Sequence, residues 1–537
     1  MAPTYKDETL HAEAVDSSLA FAPKSASHRR AYYMAALSFF GIFLFGYDTG
    51  LGGGVIALTT FAHEFGLAKA EKKHLADLQG NIVSILLGGA FFGALAGAPI
   101  ADRWGRVKTL WVGCIVFTIG GVIQTACFGS LNQFYVGRLV AGFGVGFMSM
   151  ACPTYAGEIA PKEIRGRITG MFQIVVTIGV AFSYWINYGV SFMKLSDGSK
   201  QWRIPIGFQL VPVGIMMMLL PFLRESPRWL ATKHQSEKAL QNLAWIRNRP
   251  ENDVAVQLEF AEIQAAVKEE EETNKGASWR EVFQKGNRVR FVMAFVIFTL
   301  QQWSGQNSIG YYAPIIFSSI GLKGPNTGLL ASGVYGIVKI IATAVFVIFG
   351  VDRFGRKRPL ILGAGLMSMF LWIIGAIFNT HPPVKDAVTT SSESMAMAVM
   401  IYLFVIPYCF SVGPLPWIIC SEIFSNRTRH FGLTTAAATQ WLWNFVVSKC
   451  TPLMVIALPK GGIFFFFACI NIISVVVATI FLPETRGLSL EAMDIIFGAT
   501  TAEERERYLQ AQAQEMHIEK GGEVDVHVEK VRSKETV

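Results

Sequence analysis

Three ionisable residues, Asp48, Arg138 and Lys339, stand out because they lie well inside long apolar runs. A charged side chain at membrane depth is costly unless it is paired or hydrated, so each of them is a candidate functional residue. An adjacent arginine stabilises the ionised form of a carboxyl group, whereas exclusion of water destabilises it. A carboxyl group that alternates between these two settings can bind and release a proton.

Asp48 and Arg138 are predicted to lie at a similar depth. Asp48 is about 16 residues into the first apolar run, which places it about 24 Å from the start of that helix at about 1.5 Å per residue. Arg138 is about five residues into a later run that crosses in the opposite direction. We expect the two residues to form either a proton-coupling pair or a permanent structural ion pair.

Lys339 follows Gly336, Ile337 and Val338 near the middle of another apolar run. An ammonium group at this depth could bind an anionic group of a substrate. Alternatively, Lys339 forms a structural pair, extends its amine toward the membrane surface, or faces a hydrated cavity away from the substrate. If it binds substrate, the substrate is an acid.

Amide and phenol side chains are concentrated in the string QQWSGQNSIGYY, which contains Gln301, Gln302, Asn307, Tyr311 and Tyr312. Amides both donate and accept hydrogen bonds, as recognition of a polyol requires. A single buried amide equally often joins two helices by a hydrogen bond. As a cluster, these side chains predict a polar substrate site.

Glycine and proline residues predict irregular points in two of the apolar runs. Gly305 and Pro314 are expected to loosen the helix that carries the amide cluster. Pro414 and Pro416 precede Trp417 in another run, where the missing backbone N–H groups favour a hinge.

Composition shows which elements carry these residues. Of the 537 residues, 52% are hydrophobic and 16% are charged, against about 25% charged in soluble domains. A spanning helix needs about 20 apolar residues, and twelve such runs are predicted. Their approximate bounds are 32–58, 80–101, 108–126, 133–156, 168–190, 204–222, 290–319, 328–350, 359–380, 396–420, 431–455 and 462–482.

The predicted architecture is therefore an all-α membrane protein with twelve transmembrane helices in two six-helix bundles. The predicted parts are an N-terminal tail (1–30), a first bundle (31–222), a helical linker (223–289), a second bundle (290–482) and a C-terminal tail (483–537). Lysine and arginine are enriched in the loops on one side, which the positive-inside rule assigns to the cytoplasm. Both tails and the linker are then cytoplasmic.

The composition and motifs also narrow the class of function. No string typical of a hydrolase, metalloprotease or nucleotide-binding loop occurs, so no catalytic residue, cofactor or metal is predicted. The seven cysteines lack CxxC spacing and are interpreted as small buried hydrophobic residues. The formal charge of +8 lies in tails, linker and loops, which does not imply nucleic acid.

Charged strings recur in the same order in both halves. DRWGR at 102–106 matches DRFGR at 352–356, and Glu158 with Arg165 matches Glu422 with Arg429. The repeat predicts duplication, with a substrate site between the two halves. We expect ion pairs of these strings to join the halves when the cavity faces outward. The predicted cytoplasmic gate consists of Asp102, Arg103, Arg106, Glu158, Arg165, Glu225, Arg228, Asp352, Arg353, Arg356, Glu422, Arg429 and Glu484.

Together, the strings DRWGR, EIAPKEIRGR, RESPRWL, DRFGRK, SEIF and PETRG resemble the signature set of the sugar porter family in the major facilitator superfamily. The resemblance covers about residues 30–495. It implies the major facilitator fold and alternating access. It also implies substrate contacts by Gln173, Gln301, Gln302, Asn307, Trp417 and Gln440, with Tyr311 and Tyr312 as an outer gate.

The resemblance further implies how transport is driven. Proton-coupled members have an aspartate at the position of Asp48, so proton symport is expected rather than uniport. Porters of neutral sugars typically have asparagine at the position of Lys339, and the sequence resembles fungal quinate and sugar-acid permeases. We therefore expect a sugar acid or a related polyhydroxy acid, such as galacturonate or quinate, or alternatively proton-coupled or facilitative transport of a neutral hexose or pentose.

A nutrient sensor that does not transport is the alternative from another functional class. The resemblance implies a location in the plasma membrane, with protons, a small sugar-type substrate and the lipid bilayer as partners. The oligomeric state is not predicted by the sequence.

Overall fold

The computed structural model of the chain describes residues 28–161, 163–193, 198–274, 279–284, 286–324, 326–349, 355–383, 389–424, 428–486, 493 and 496–497. Within these residues, every regular element is helical. The predicted N-terminal tail up to residue 27, most of the C-terminal tail, and Asp352 and Arg353 of the predicted gate lie outside the described residues.

The N-terminal half consists of long helices joined by short loops. Its helices are α1 (Arg29–Ile56), α2 (Thr59–Glu64), α3 (Lys72–Trp104), α4 (Arg106–Thr125), α5 (Leu131–Ile159), α6 (Arg165–Val190), α7 (Lys200–Phe208) and α8 (Leu210–Leu219). Helix α5 packs against α3 and α4, and α1 packs against α6. We call the end where α3 meets α4, which is predicted to be cytoplasmic, the inner end.

Three helices follow the N-terminal half in the region predicted to be a linker: α9 (Pro227–Thr232), α10 (Ser236–Arg247) and α11 (Val254–Asn274). Helix α9 begins with Pro227, and the Ser226 hydroxyl accepts a hydrogen bond from the backbone N–H of Trp229 at 3.2 Å. A serine cap followed by proline is a favoured helix start. The three helices pack on one another around a small apolar core of their own.

The C-terminal half contains the interrupted helices. Its elements are α12 (Asn287–Gln302), α13 (Gln306–Tyr311), α14 (Ala313–Ser319), α15 (Thr327–Phe349), α16 (Lys357–Thr380), α17 (Ser392–Phe410), α18 (Leu415–Ile423), α19 (Arg429–Ala457) and α20 (Gly462–Ile480). Gly305, directly before α13, has a φ of +95°, a conformation that side chains with a Cβ rarely adopt. The helix is interrupted there and again between Phe410 and Leu415, beside Pro414 and Pro416; a hinge at the second break stays a prediction.

Ten helical segments in the described part of the chain are long and apolar enough to cross a membrane. The predicted spans 290–319 and 431–455 are not among them, for different reasons. The first is divided into α12, α13 and α14, each of which is too short alone. The second corresponds to α19, whose 29 residues are long enough but whose polar side chains lower its mean hydropathy.

The two halves pack against each other along two pairs of helices. Helix α3 packs against α19, and α6 packs against α15. Helices α13 and α14 also contact α1. Contacts between the two halves are therefore made by α1, α3 and α6 on one side and by α13, α14, α15 and α19 on the other.

Candidate functional site

The structure brings Asp48 of α1 and Arg138 of α5 into contact. The distance from Arg138 Nη1 to Asp48 Oδ1 is 3.3 Å, and both side chains are almost completely buried, at 1% and 0% exposure. The Arg138 guanidinium also lies over the ring of Phe134, 5.4 Å from its centroid. The similar depth predicted for the two residues is therefore seen as a direct ion pair.

This ion pair is incompletely satisfied by protein groups. Asp48 Oδ2 and Arg138 Nε and Nη2 are buried and have no hydrogen-bond partner among the residues that the structure describes. An uncompensated buried polar atom costs free energy, so a permanent structural pair would be expected to have more partners.

Lys339 lies on the interior face of α15. The residues one turn before and after it, Tyr335 and Ala342, are buried, whereas Ile337 and Ile341 are exposed on the opposite face. Within the part of the chain that the structure describes, Lys339 forms no ion pair. Its neighbour across the helix interface is Cys409 of α17, whose thiol lies 3.9 Å from the Lys339 carbonyl oxygen.

The predicted amide cluster is assembled around the break between α12 and α13. Asn307 donates a hydrogen bond to Gln302 and a second one, of 3.3 Å, to Asn444 Oδ1 of α19. The Tyr311 hydroxyl donates to the same Asn444 oxygen at 2.7 Å. Gln302, Asn307, Tyr311 and Asn444 therefore form one polar cluster.

The other predicted substrate residues differ in their surroundings. Gln301 donates to two backbone oxygens of the α17–α18 break. Trp417 is 38% exposed, with its ring against Phe298. Gln173 of α6 and Gln440 of α19 are partly exposed, and the buried Oε1 of Gln440 accepts no hydrogen bond from the described part of the chain. An amide with an unused acceptor is available to a ligand hydroxyl.

Contacts between the halves are found at the outer end, which is the end opposite the inner one. Tyr312 donates to the carbonyl of Ser448 at 2.7 Å and contacts the carbonyl of Gln79 in the other half at 3.4 Å. Tyr184 of α6 donates to the carbonyl of Gly310. The predicted outer-gate residues Tyr311 and Tyr312 are both buried, so this end is closed.

Close backbone packing supports the closed outer end. A Cβ atom on Gly53 of α1 would lie 1.7 Å from the carbonyl oxygen of Tyr311. Only glycine permits this approach. Helix α1 can therefore rest directly on α13.

The inner-end ion pairs described here lie within each half rather than between the halves. In the N-terminal half, Arg106 pairs with Glu158 at 2.8 Å and with Asp102 at 3.1 Å. The Glu225 carboxylate accepts from the backbone N–H groups of Arg106 at 2.9 Å and Val107 at 3.1 Å.

The C-terminal half repeats this arrangement. Arg356 pairs with Glu422 at 2.8 Å. The Glu484 carboxylate accepts from the backbone N–H groups of Arg356 at 2.8 Å and Lys357 at 3.1 Å. Matching residues of the recurring strings therefore make matching contacts.

The remaining predicted gate residues are more peripheral. Arg103 is exposed, Arg228 pairs with Glu270 of α11 at 2.9 Å, and Arg165 and Arg429 begin α6 and α19. The predicted joining of the halves by the gate concerns an outward-facing state and stays a prediction. Closure at the outer end and pairing within each half at the inner end are the features of an inward-facing arrangement.

Two residues with cross-helix roles were missed by the sequence analysis. Lys449 of α19 pairs with Asp77 of α3 at 3.1 Å and donates to Asn81 at 2.8 Å. Asn444 is the shared acceptor of the polar cluster. The signal for Lys449 was available, because it is an ionisable residue inside the predicted span 431–455.

Comparisons with known proteins were consistent over most of the chain. Residues 34–497 match the family model described as sugar (and other) transporter. A probable quinate permease of Aspergillus clavatus is 37% identical over 482 residues, covering 88% of this chain and 89% of the permease. The quinate permease of Neurospora terricola is 38% identical over 486 residues, covering 88% and 90%.

The fold is similar to that of a solved transporter. The inward-open xylose transporter XylE from E. coli superposes with a TM-score of 0.72 and 26% sequence identity, covering 87% of this chain and 99% of XylE. XylE is described as a proton:xylose symporter of the major facilitator superfamily.

Proposed function

Because the chain belongs to the sugar transporter family, we propose that it imports a small polyhydroxy acid together with a proton by alternating access. It is a membrane transporter rather than an enzyme. The observation that carries the choice of an acid is Lys339, an interior lysine without a carboxylate partner among the described residues. An unpaired cation in the protein interior is costly without an anion, and the carboxylate of the substrate supplies one.

The hydroxyl groups of the substrate are assigned to the amide cluster. Gln302, Asn307 and Gln440 are assigned as donors and acceptors, Gln173 as the amide contributed by the N-terminal half, and Trp417 as an aromatic surface. Such a mixture of amides and aromatic faces suits a polyol. The fungal relatives named quinate permease support this substrate class.

Proton coupling is assigned to Asp48 and Arg138. The pair is buried, and one carboxylate oxygen is free. Protonation of Asp48 would release Arg138 from the pair, so the occupancy of the proton site can change the packing of α1 against α5. The likeness to XylE, described as a proton symporter, supports this role.

We also propose a topology of twelve membrane spans with both termini in the cytoplasm. Twelve spans result if the interrupted α12, α13 and α14 cross the membrane together and α19 crosses alone. An even number of spans places both termini on one side, and the loop arginines make that side the cytoplasm. The plasma membrane is the proposed location.

The test is uptake into proteoliposomes with an inward proton gradient, measured in parallel for quinate, galacturonate, glucose and xylose. Wild type is compared with Lys339→Asn and with Lys339→Arg, which keeps the charge. We expect uptake of an acid, and an apparent affinity about tenfold to a hundredfold weaker in Lys339→Asn, the range for a lost charged hydrogen bond.

The same measurement distinguishes acid import from transport of a neutral sugar and from a sensor that does not transport. Uptake of glucose or xylose alone, unchanged by Lys339→Asn, would identify a neutral-sugar carrier, the alternative that the likeness to XylE favours. Absence of flux for all four compounds in well-folded protein would favour a sensor.

A further inference from the structure

The segment between α17 and α18 lacks hydrogen-bond donors that a continuous helix would have. In an α-helix the carbonyl of residue 412 accepts from the backbone N–H of residue 416. Here residue 416 is proline, which has no N–H. Val412 is buried, with 4% of the residue exposed. Its carbonyl oxygen therefore needs a hydrogen-bond donor from another part of the chain.

Gln301, near the end of α12, supplies that donor. Its Nε2 lies 2.9 Å from the Val412 carbonyl oxygen and 2.8 Å from that of Gly413. The side chain is 5% exposed. An amide NH2 group has two hydrogens, and the carbonyls of Val412 and Gly413 accept one each.

Helix α12 contacts the same segment a second time, one turn before Gln301. The ring of Phe298 packs edge-on against Trp417, with the centroids 4.8 Å apart. Trp417 directly follows Pro416. One face of α12 thus holds the irregular backbone through Gln301 and the first turn of α18 through Phe298.

We infer that Gln301 is a positioning residue, which sets the geometry of the α17–α18 break and thereby the placement of Trp417 and α18. Resemblance predicts a direct substrate contact for Gln301, but in the inward-facing arrangement its amide hydrogens are committed to the backbone of α17–α18. The inference rests on the proposed transport function only for its kinetic readout.

The structure offers a matched pair of changes. Gln301→Ala removes the donor, and Gln301→Glu keeps the size but presents only acceptors to the two carbonyls. Pro416→Ala restores a backbone N–H that can reach the Val412 carbonyl. If Gln301 acts through the break, Pro416→Ala suppresses the effect of Gln301→Ala, which a role in substrate binding does not predict.

The first readout needs no substrate. Cys420 of α18 and Cys114 of α4 are both fully buried, so maleimide labelling of each can be followed by peptide mass spectrometry in the whole protein. We expect Gln301→Ala and Gln301→Glu to speed labelling of Cys420 about tenfold, with Cys114 unchanged, and Pro416→Ala to reverse this in the double variant. Unchanged labelling of Cys420 in both variants would overturn the inference, whatever the transported substrate.

The second readout is uptake of quinate, or of xylose if wild type transports only neutral sugar. We expect Gln301→Ala to lower the maximal rate about tenfold with little change in KM, and the double variant to recover most of the rate. Gln302→Ala, in the polar cluster, is expected to raise KM instead. A raised KM for Gln301→Ala without rescue by Pro416→Ala would make Gln301 a substrate ligand and contradict the inference.

Discussion

The ammonium group of Lys449 on α19 lies 3.1 Å from the carboxylate of Asp77 on α3. The same ammonium group donates to Asn81 Oδ1 at 2.8 Å. These contacts join the two halves at the outer end, beside the contact of Tyr312 with the Gln79 carbonyl. The pair therefore belongs to the closed state of the outer end and is expected to break when that end opens.

Exchanging the charges of Asp77 and Lys449 tests whether their ion pair helps to close the outer end. Asp77→Lys and Lys449→Asp each place like charges at the contact and should shift the population toward the outward-facing state. The double variant should restore the balance. Because the pair is partly exposed, its contribution is about 0.2–1 kcal/mol, a shift of about 1.4- to 5-fold in population.

The measurement is the distance distribution between spin labels at residues 71 and 460, exposed positions at the outer ends of the two halves. Glu71 and Lys460 are replaced by cysteine in a background that lacks the exposed native cysteine, Cys469. If the double variant is as open as the single ones, the contact is incidental to closure.

A second prediction concerns Asp48. Asp48→Asn keeps the size of the side chain but cannot release a proton, so uphill accumulation should be lost while exchange of substrate across the membrane survives in part. Asp253→Asn, which changes a carboxylate of the linker helices paired with Arg249, should retain accumulation. Full uphill uptake by Asp48→Asn would exclude the proposed coupling.

The third prediction concerns Asn444, the shared acceptor of the polar cluster. Asn444→Ala leaves the Tyr311 hydroxyl and the Asn307 amide without this partner, which should lower the free energy of unfolding by about 1–3 kcal/mol. It should also raise KM, because Asn307 loses its orientation. Asn444→Asp keeps the acceptor oxygen and should preserve the hydrogen bonds, so thermal unfolding in detergent distinguishes a lost acceptor from a general change at the site.

The features that the sequence predicted well were those set by local chemistry or by counting along a helix. Gly305 with its positive φ and the prolines before Trp417 interrupt their helices for reasons contained in those residues. The similar depth of Asp48 and Arg138 followed from the rise per residue in two antiparallel helices, and the structure shows them in contact. Both depend on geometry that changes little with tertiary packing.

The missed features depend on which faces of distant helices meet. Asn444 is 133 residues from Tyr311, and Lys449 is 372 residues from Asp77. Neither pairing follows from spacing, because the rotation and register of α19 are fixed by its packing against α13 within the C-terminal half and against α3 of the other half. The use of the Gln301 amide by Val412 likewise required the position of α12 beside the α17–α18 break.

The last prediction uses the matching carboxylates of the inner end. Burial raises the pKa of Glu225 above its ordinary value of 4.5, although hydrogen bonds from the backbone N–H groups of Ser226, Arg106 and Val107 oppose the increase. At Glu484 burial also acts upward, but hydrogen bonds from backbone N–H groups, led by that of Arg356, outweigh it and lower the pKa. The pKa values of these two equivalent carboxyl groups are thus expected to lie on opposite sides of 4.5.

The pH dependence of stability from each carboxyl group is set by the difference between its pKa values in the folded and unfolded states. The contribution of Glu484 to the free energy of unfolding is present above about pH 4.5 and is lost as pH falls through its lowered pKa. The contribution of Glu225 is present below about pH 4.5 and is lost as pH rises through its raised pKa. The unfolding midpoint of wild type relative to Glu484→Gln should therefore fall on acidification, and relative to Glu225→Gln it should fall as pH rises. Parallel pH profiles for the two variants would show that the halves, despite their matching contacts, do not differ in this way.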